Sequence, residues 1–145
     1  MPQIIHESVT VRILSPEQRI YTPKSLRRAF RAFATEMTIV PFHGYDRVII
    51  RKLMEGFEVI NIVPQRLGGQ DNYENLALCE PELHRLIDAF IDKQVAGLPI
   101  GKEVNIKIPN YPKKVWGLTE KAIVACESLR PPHRERAYEL LELTH

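Results

Sequence analysis

Residues 59–69 read Val59-Ile60-Asn61-Ile62-Val63-Pro64-Gln65-Arg66-Leu67-Gly68-Gly69, and residues 73–88 read Tyr73-Glu74-Asn75-Leu76-Ala77-Leu78-Cys79-Glu80-Pro81-Glu82-Leu83-His84-Arg85-Leu86-Ile87-Asp88. The stretch changes character along its length. Residues 57–63 are rich in β-branched side chains and predict a strand. Pro64 and Gly68-Gly69 predict a loop over residues 64–72, since one fixes φ and the others free it. Residues 73–78 read as short and semi-extended. Over residues 82–96 the spacing of Leu83, Leu86, Ile87, Phe90 and Ile91 predicts a helix with all five facing inward.

Upstream, residues 47–53 also read as a strand, with Met54-Glu55-Gly56 as a hairpin turn into residues 57–63. Residues 41–46 form a turn-rich connection. Residues 8–14 alternate, with Val9, Val11 and Ile13 on one face, and predict a half-buried strand. Thr22-Pro23 predicts a helix start, Thr22 as N-cap and Pro23 in the first turn, over residues 23–37. Its apolar stripe is Leu26, Ala29, Phe30, Phe33, Ala34 and Met37. Lys24, Arg27, Arg28 and Arg31 fall mostly opposite, where they can follow a phosphate backbone or simply face solvent.

Downstream, residues 104–108 alternate as a strand, followed by Pro109, Pro112 and the pair Lys113-Lys114. Thr119 caps a helix with the face Ala122, Ile123, Cys126 and Leu129. After Pro131-Pro132 a last helix runs to Leu143 and buries Ala137, Leu140 and Leu141. This helical hairpin either packs on the core or docks on a protein partner. Three segments follow: 1–44, a strand and a basic helix; 45–97, a central unit; and 98–145, a C-terminal appendage.

At 145 residues, 44% hydrophobic and 26% charged, the chain suits one soluble core. The formal charge of +2 is too small to argue for nucleic acid, but it is unevenly spread. Residues 1–66 hold ten Lys/Arg against six Asp/Glu, residues 67–100 two against six, and residues 101–145 eight against six. A basic front beside an acidic strip fits phosphate on one side and a cation on the other, or chance scatter. Cys79 and Cys126, with no paired spacing, exclude a disulfide framework and a Cys-x-x-Cys zinc knuckle. No apolar run approaches a membrane span, and the N-terminus carries no secretory pattern, so the expected location is cytoplasmic.

In order and spacing, residues 59–88 resemble the core of the HNH, or ββα-metal, nucleases, closest in style to the HNH domains encoded in group II introns. The resemblance covers about a fifth of the chain. It implies an α+β fold: a ββα-metal core of hairpin, loop and helix, with an N-terminal strand and helix and a C-terminal helical hairpin. Asn75 matches the family's central Asn, which organises the loop. His84 matches a metal-binding His at the helix start, and Asp88 stands one turn later where many relatives have a second His. Gly68-Gly69 matches the loop, and Pro64 stands three residues after Asn61 as it does after the family's base. The resemblance implies metal-dependent phosphodiester hydrolysis, with magnesium, manganese or zinc as divalent cofactor. Its partner would be nucleic acid, DNA ahead of RNA, in a setting such as a mobile element or a defence system. Arg66 is then a phosphate clamp, and Arg27, Arg28, Arg31, Lys113 and Lys114 are further phosphate contacts.

Two positions depart from the family. Ile60 stands where a metal ligand belongs, and Asn61 where the general-base His belongs. An amide takes no proton at neutral pH, and loss of a general base costs about 100- to 10,000-fold in rate. Glu58 and His43 are the candidates to replace it. Three readings remain: a nuclease with an unorthodox base, a degenerate module that binds nucleic acid or a protein without cutting, and a structural or regulatory protein.

Overall fold

The computed structural model describes residues 6–142. The fold is α+β. Its centre is a three-stranded sheet in the order β2-β3-β5, made of β2 (Glu58–Asn61), β3 (Leu76–Cys79) and β5 (Val115–Trp116). β2 and β3 run antiparallel, with Ile60 opposite Ala77 and Asn61 opposite Leu76. β5 joins β3 in parallel, Leu78 opposite Val115.

Period-two alternation along β3 sends its side chains into two different cores. Leu76 and Leu78 face four helices: α1 (Lys24–Ile39), α2 (Gly44–Glu55), α4 (Glu120–Glu127) and α5 (Pro131–Leu140). They pack there with Phe30, Ile50, Phe57, Cys126 and Leu129. Ala77 and Cys79 face the opposite way, toward α3 (Pro81–Val95) and a ribbon of β1 (His6–Arg12) and β4 (Glu103–Pro109). There Val11, Ile60, Leu83, Ile87, Ile106 and Trp116 close the second core. All four residues of β3 are buried, which suits a central strand covered on both faces.

Two expectations are corrected. Residues 47–53 are helix, within α2, and Met54-Glu55-Gly56 is that helix's end with Gly56 as its C-cap. The run Val48-Ile49-Ile50 imitates a strand. The spacing of Asp46, Ile50 and Met54, one helical turn apart each time and all buried, is what decides. The partner of β2 is therefore β3, drawn from the segment expected to be only semi-extended. Strand, loop, strand and helix (β2, residues 62–75, β3, α3) follow in that order.

The inward faces shift as well. In α1, Phe30, Ala34, Thr38 and Ile39 are buried, whereas Phe33 and Met37 are 52% and 58% exposed. In α3, Leu86 is 66% exposed, while Leu83, Ile87 and Ile91 are buried. Thr22 does not cap α1. Pro23 holds the N-cap position, and the buried Thr22 hydroxyl is taken by other partners. Thr119 does cap α4, its hydroxyl accepting from the Ala122 N–H. The inward faces of α4 and α5 are consumed by the first core, through Ala122, Cys126, Leu129, Ala137 and Leu141. The last helix stops at Leu140 with Leu141 as its C-cap and Glu142 at a φ of +60°, short of the expected end at Leu143, which itself lies outside the described residues. Strand β1, from the expected N-terminal segment, pairs along its length with β4 from the expected appendage. No helix among the described residues is long and apolar enough to cross a membrane.

Candidate nucleic-acid interface

Loop 62–75 is a compact structure organised by Asn75. The Asn75 Oδ1 accepts from the Val63 N–H (2.8 Å). Its amide nitrogen donates to the carbonyls of Val63 (3.0 Å) and Gln70 (2.9 Å). Asn72 closes the other end by accepting from the Asn75 N–H (3.1 Å). Gly69 is required here because a Cβ at that position would sit 1.7 Å from the Val63 carbonyl oxygen. Gly68 carries a φ of +89°, where an L side chain is strained. The loop thereby returns the chain to β3 with β2 held at the sheet edge.

Along that edge runs a trough, with α1 on one side and α3 on the other. Two clefts compose it and share Arg27, Val59 and His84. One, of about 270 Å³, is bounded by Arg19, Tyr21, Arg27, Asn61, Gln65, Arg66, His84 and Asp88. The other, of about 600 Å³, lies between Arg27, Arg28 and Arg31 of α1 and Glu58 and His84. The three arginines converge because residues 27, 28 and 31 share a side of α1. Arg31 donates to the Met54 carbonyl at the end of α2 (3.4 Å). The guanidinium groups of Arg27 and Arg28 have no ion pair or hydrogen bond among the described residues.

The opposite wall carries alternating charge. Glu58 Oε2 lies 2.7 Å from His84 Nδ1, and His84 Nε2 lies 3.3 Å from Asp88 Oδ2. The Arg66 guanidinium stands 3.9 Å from Asp88 and 2.6 Å from Asp92. His84, Asp88 and Asp92 follow at four-residue intervals on one face of α3, so Glu58 and Arg66 fit between them from β2 and the loop. Arg66, read as a phosphate clamp, is thus already engaged by two carboxylates.

His84 and Asp88 offer two donors on one side, with a carboxylate behind the imidazole as metal-bound histidines commonly have. The set ends there. Ile60 is 4% exposed and packs in the second core. The Arg66 cation stands beside Asp88, and Glu58 approaches the wrong nitrogen to share an ion with Asp88. No group of three or more His, Cys, Asp or Glu among the described residues is arranged to hold a metal ion. The residues present do not fit a tightly held divalent cation.

Asn61 projects to the α1 side, where its amide nitrogen donates to Thr22 Oγ1 (3.0 Å). Gln65 donates to the same oxygen (3.2 Å). Of the two substitute bases, Glu58 is occupied by His84. His43 belongs to another cluster, packed edge-on against the His133 ring at 4.8 Å. Lys113 and Lys114 lie on the approach to β5, donating to the carbonyls of Glu139 (3.1 Å) and Glu74 (2.9 Å). Neither lines the trough.

Sequence reasoning missed Arg19, Tyr21, Gln65 and Asp92. Asp92 was readable as the next step of the His84, Asp88 spacing. Arg19 and Tyr21 sit in an irregular link with no periodicity to expose them. Compared with protein-family models, curated proteins and solved structures, the chain matches none.

Proposed function

We propose that this chain binds nucleic acid, DNA ahead of RNA, along the trough beside β2, on an HNH-like ββα scaffold whose hydrolytic centre has been dismantled. The observation that carries the reading is the pair Arg27 and Arg28, unpaired in a trough that also contains Asn61, at the position of the missing base. Two uncompensated guanidiniums in a concave site attract phosphate, and a backbone threading past them releases counterions. Support for the ancestry comes from Asn75, which makes the loop bonds that the resemblance assigns to it, and from His84 beside Asp88. Hydrolysis is the weaker reading, because Asn61 cannot take a proton and the donor set stops at two residues.

Binding of a fluorescein-labelled DNA, followed by anisotropy, tests the proposal. Arg27→Ala/Arg28→Ala weakens binding by at least about tenfold, roughly 1.4 kcal/mol or more for two phosphate contacts. Lys113→Ala/Lys114→Ala, away from the trough, changes it less than about threefold. Equal losses from both pairs would place binding elsewhere and overturn the reading.

A further inference from the structure

Thr22 controls what the smaller cleft can recognise. Its buried oxygen receives the amide nitrogens of both Asn61 and Gln65. Each amide therefore presents its carbonyl oxygen away from Thr22. Neither carbonyl accepts a hydrogen bond among the described residues, and neither is a buried orphan, so both reach solvent. A hydroxyl has one hydrogen to give, so at most one of the two amides can be reversed. At least one acceptor faces the cleft whichever way they are set.

Tyr21 and Arg19 stand beside these acceptors. Tyr21 is 63% exposed, and its ring and hydroxyl meet no partner among the described residues. Arg19 lines the same cleft with its Nε buried and unpartnered. A buried N–H without an acceptor is costly, and an anion in the cleft would relieve it. A flat apolar face, cations and carbonyl acceptors meet in a space of about 270 Å³, which approaches the size of small-molecule sites.

We infer that this cleft takes one unpaired nucleotide of a single strand: Tyr21 stacks on the base, Arg19 and Arg27 hold its phosphates, and the Asn61 and Gln65 carbonyls accept from an exocyclic amine. Duplex DNA keeps its bases stacked and its amines paired, so it cannot offer these groups together. Cytosine, adenine and guanine carry an exocyclic amine, and thymine carries none. The inference rests on the proposed function and specifies its ligand. On this account Asn61 is a recognition residue in the place of a catalytic one.

The test is anisotropy with short labelled strands of dC and dT and a duplex of equal length, using the full chain. Single strands bind more tightly than duplex. Tyr21→Ala weakens single-strand binding by about tenfold, the loss of one base–aromatic stack, and leaves duplex binding unchanged. Asn61→Leu lowers the ratio of dC to dT affinity by about three- to tenfold, the loss of one hydrogen bond. Unchanged thermal melting of both variants separates these effects from misfolding. If duplex and single strands bind alike and Tyr21→Ala moves neither, the inference fails, while sensitivity to Arg27→Ala/Arg28→Ala keeps the proposed function. If no nucleic acid binds, both fail.

Discussion

Ile60 and Asn61 are neighbours on one strand, yet they serve opposite faces of the sheet. Ile60 enters the second core with Leu83 and Ile87, and Asn61 turns toward Thr22. Restoring the family's residues at the two positions therefore has unequal consequences. Asn61→His exchanges one half-buried polar group for another. Ile60→Asp places a carboxylate in an apolar layer, and a drop of about 3 kcal/mol or more in urea-measured stability is expected. At Asn75 three side-chain hydrogen bonds hold the loop. Asn75→Ala should cost about 2–4 kcal/mol, with hydrogen exchange quickening over residues 62–75 first. That Asn75 organises the loop was an expectation carried by the resemblance. Its partners were not legible in the sequence, because bonds to the Val63 N–H and C=O depend on how the loop closes.

Among the elements, α2 carries the plainest failure of local pattern. Three consecutive β-branched residues read as strand, and the burial of Asp46, Ile50 and Met54 one turn apart decides for helix. Asp46 binds α2 to the start of α5: its Oδ2 accepts from Arg130 Nε (2.8 Å) and lies 2.5 Å from His133 Nδ1. No sequence pattern links positions 84 and 87 residues apart. The Arg130 hydrogen bond, helped by His133, holds the Asp46 carboxyl below the ordinary carboxylate range against the opposing effect of burial. A folded-state value lowered in this way means stability present at neutral pH and lost as pH falls through it. Thermal melts should therefore show the chain above Asp46→Asn near neutrality, with the gap closing in the acid limb below about pH 4. A gap that stays constant to the acid end would remove the charged carboxylate from the account. By contrast, the bounds of α3 were legible to within a residue, expected over residues 82–96 and found at Pro81–Val95, because Leu83, Ile87 and Ile91 recur at helical spacing.

At the scale of the molecule, the central sheet separates two cores, and the trough opens where its edge strand β2 meets α1 and α3. The α+β class, the loop and the C-terminal helical pair were readable from pattern. The β2–β3 pairing was not, because residues 47–53 imitate a strand and compete as the partner of β2, and neither was the closure of β1 on β4, which joins segments far apart in sequence. Both cysteines lie in these cores, with Cys79 and Cys126 buried and their thiols pushed up by desolvation, Cys126 to about 11. Iodoacetamide should label neither in the native chain and both after denaturation, since the reactive thiolate is scarce and shielded.

The trough itself is tested most directly by the salt dependence of DNA affinity. With Arg19, Arg27, Arg28 and Arg31 available to phosphates, the logarithm of the association constant should fall with that of salt concentration at a slope of about −2 to −4. Arg27→Ala/Arg28→Ala should bring that slope about two units nearer zero. A slope near zero in the intact chain, or one that the double variant leaves unchanged, would contradict the assignment of the trough as the binding site.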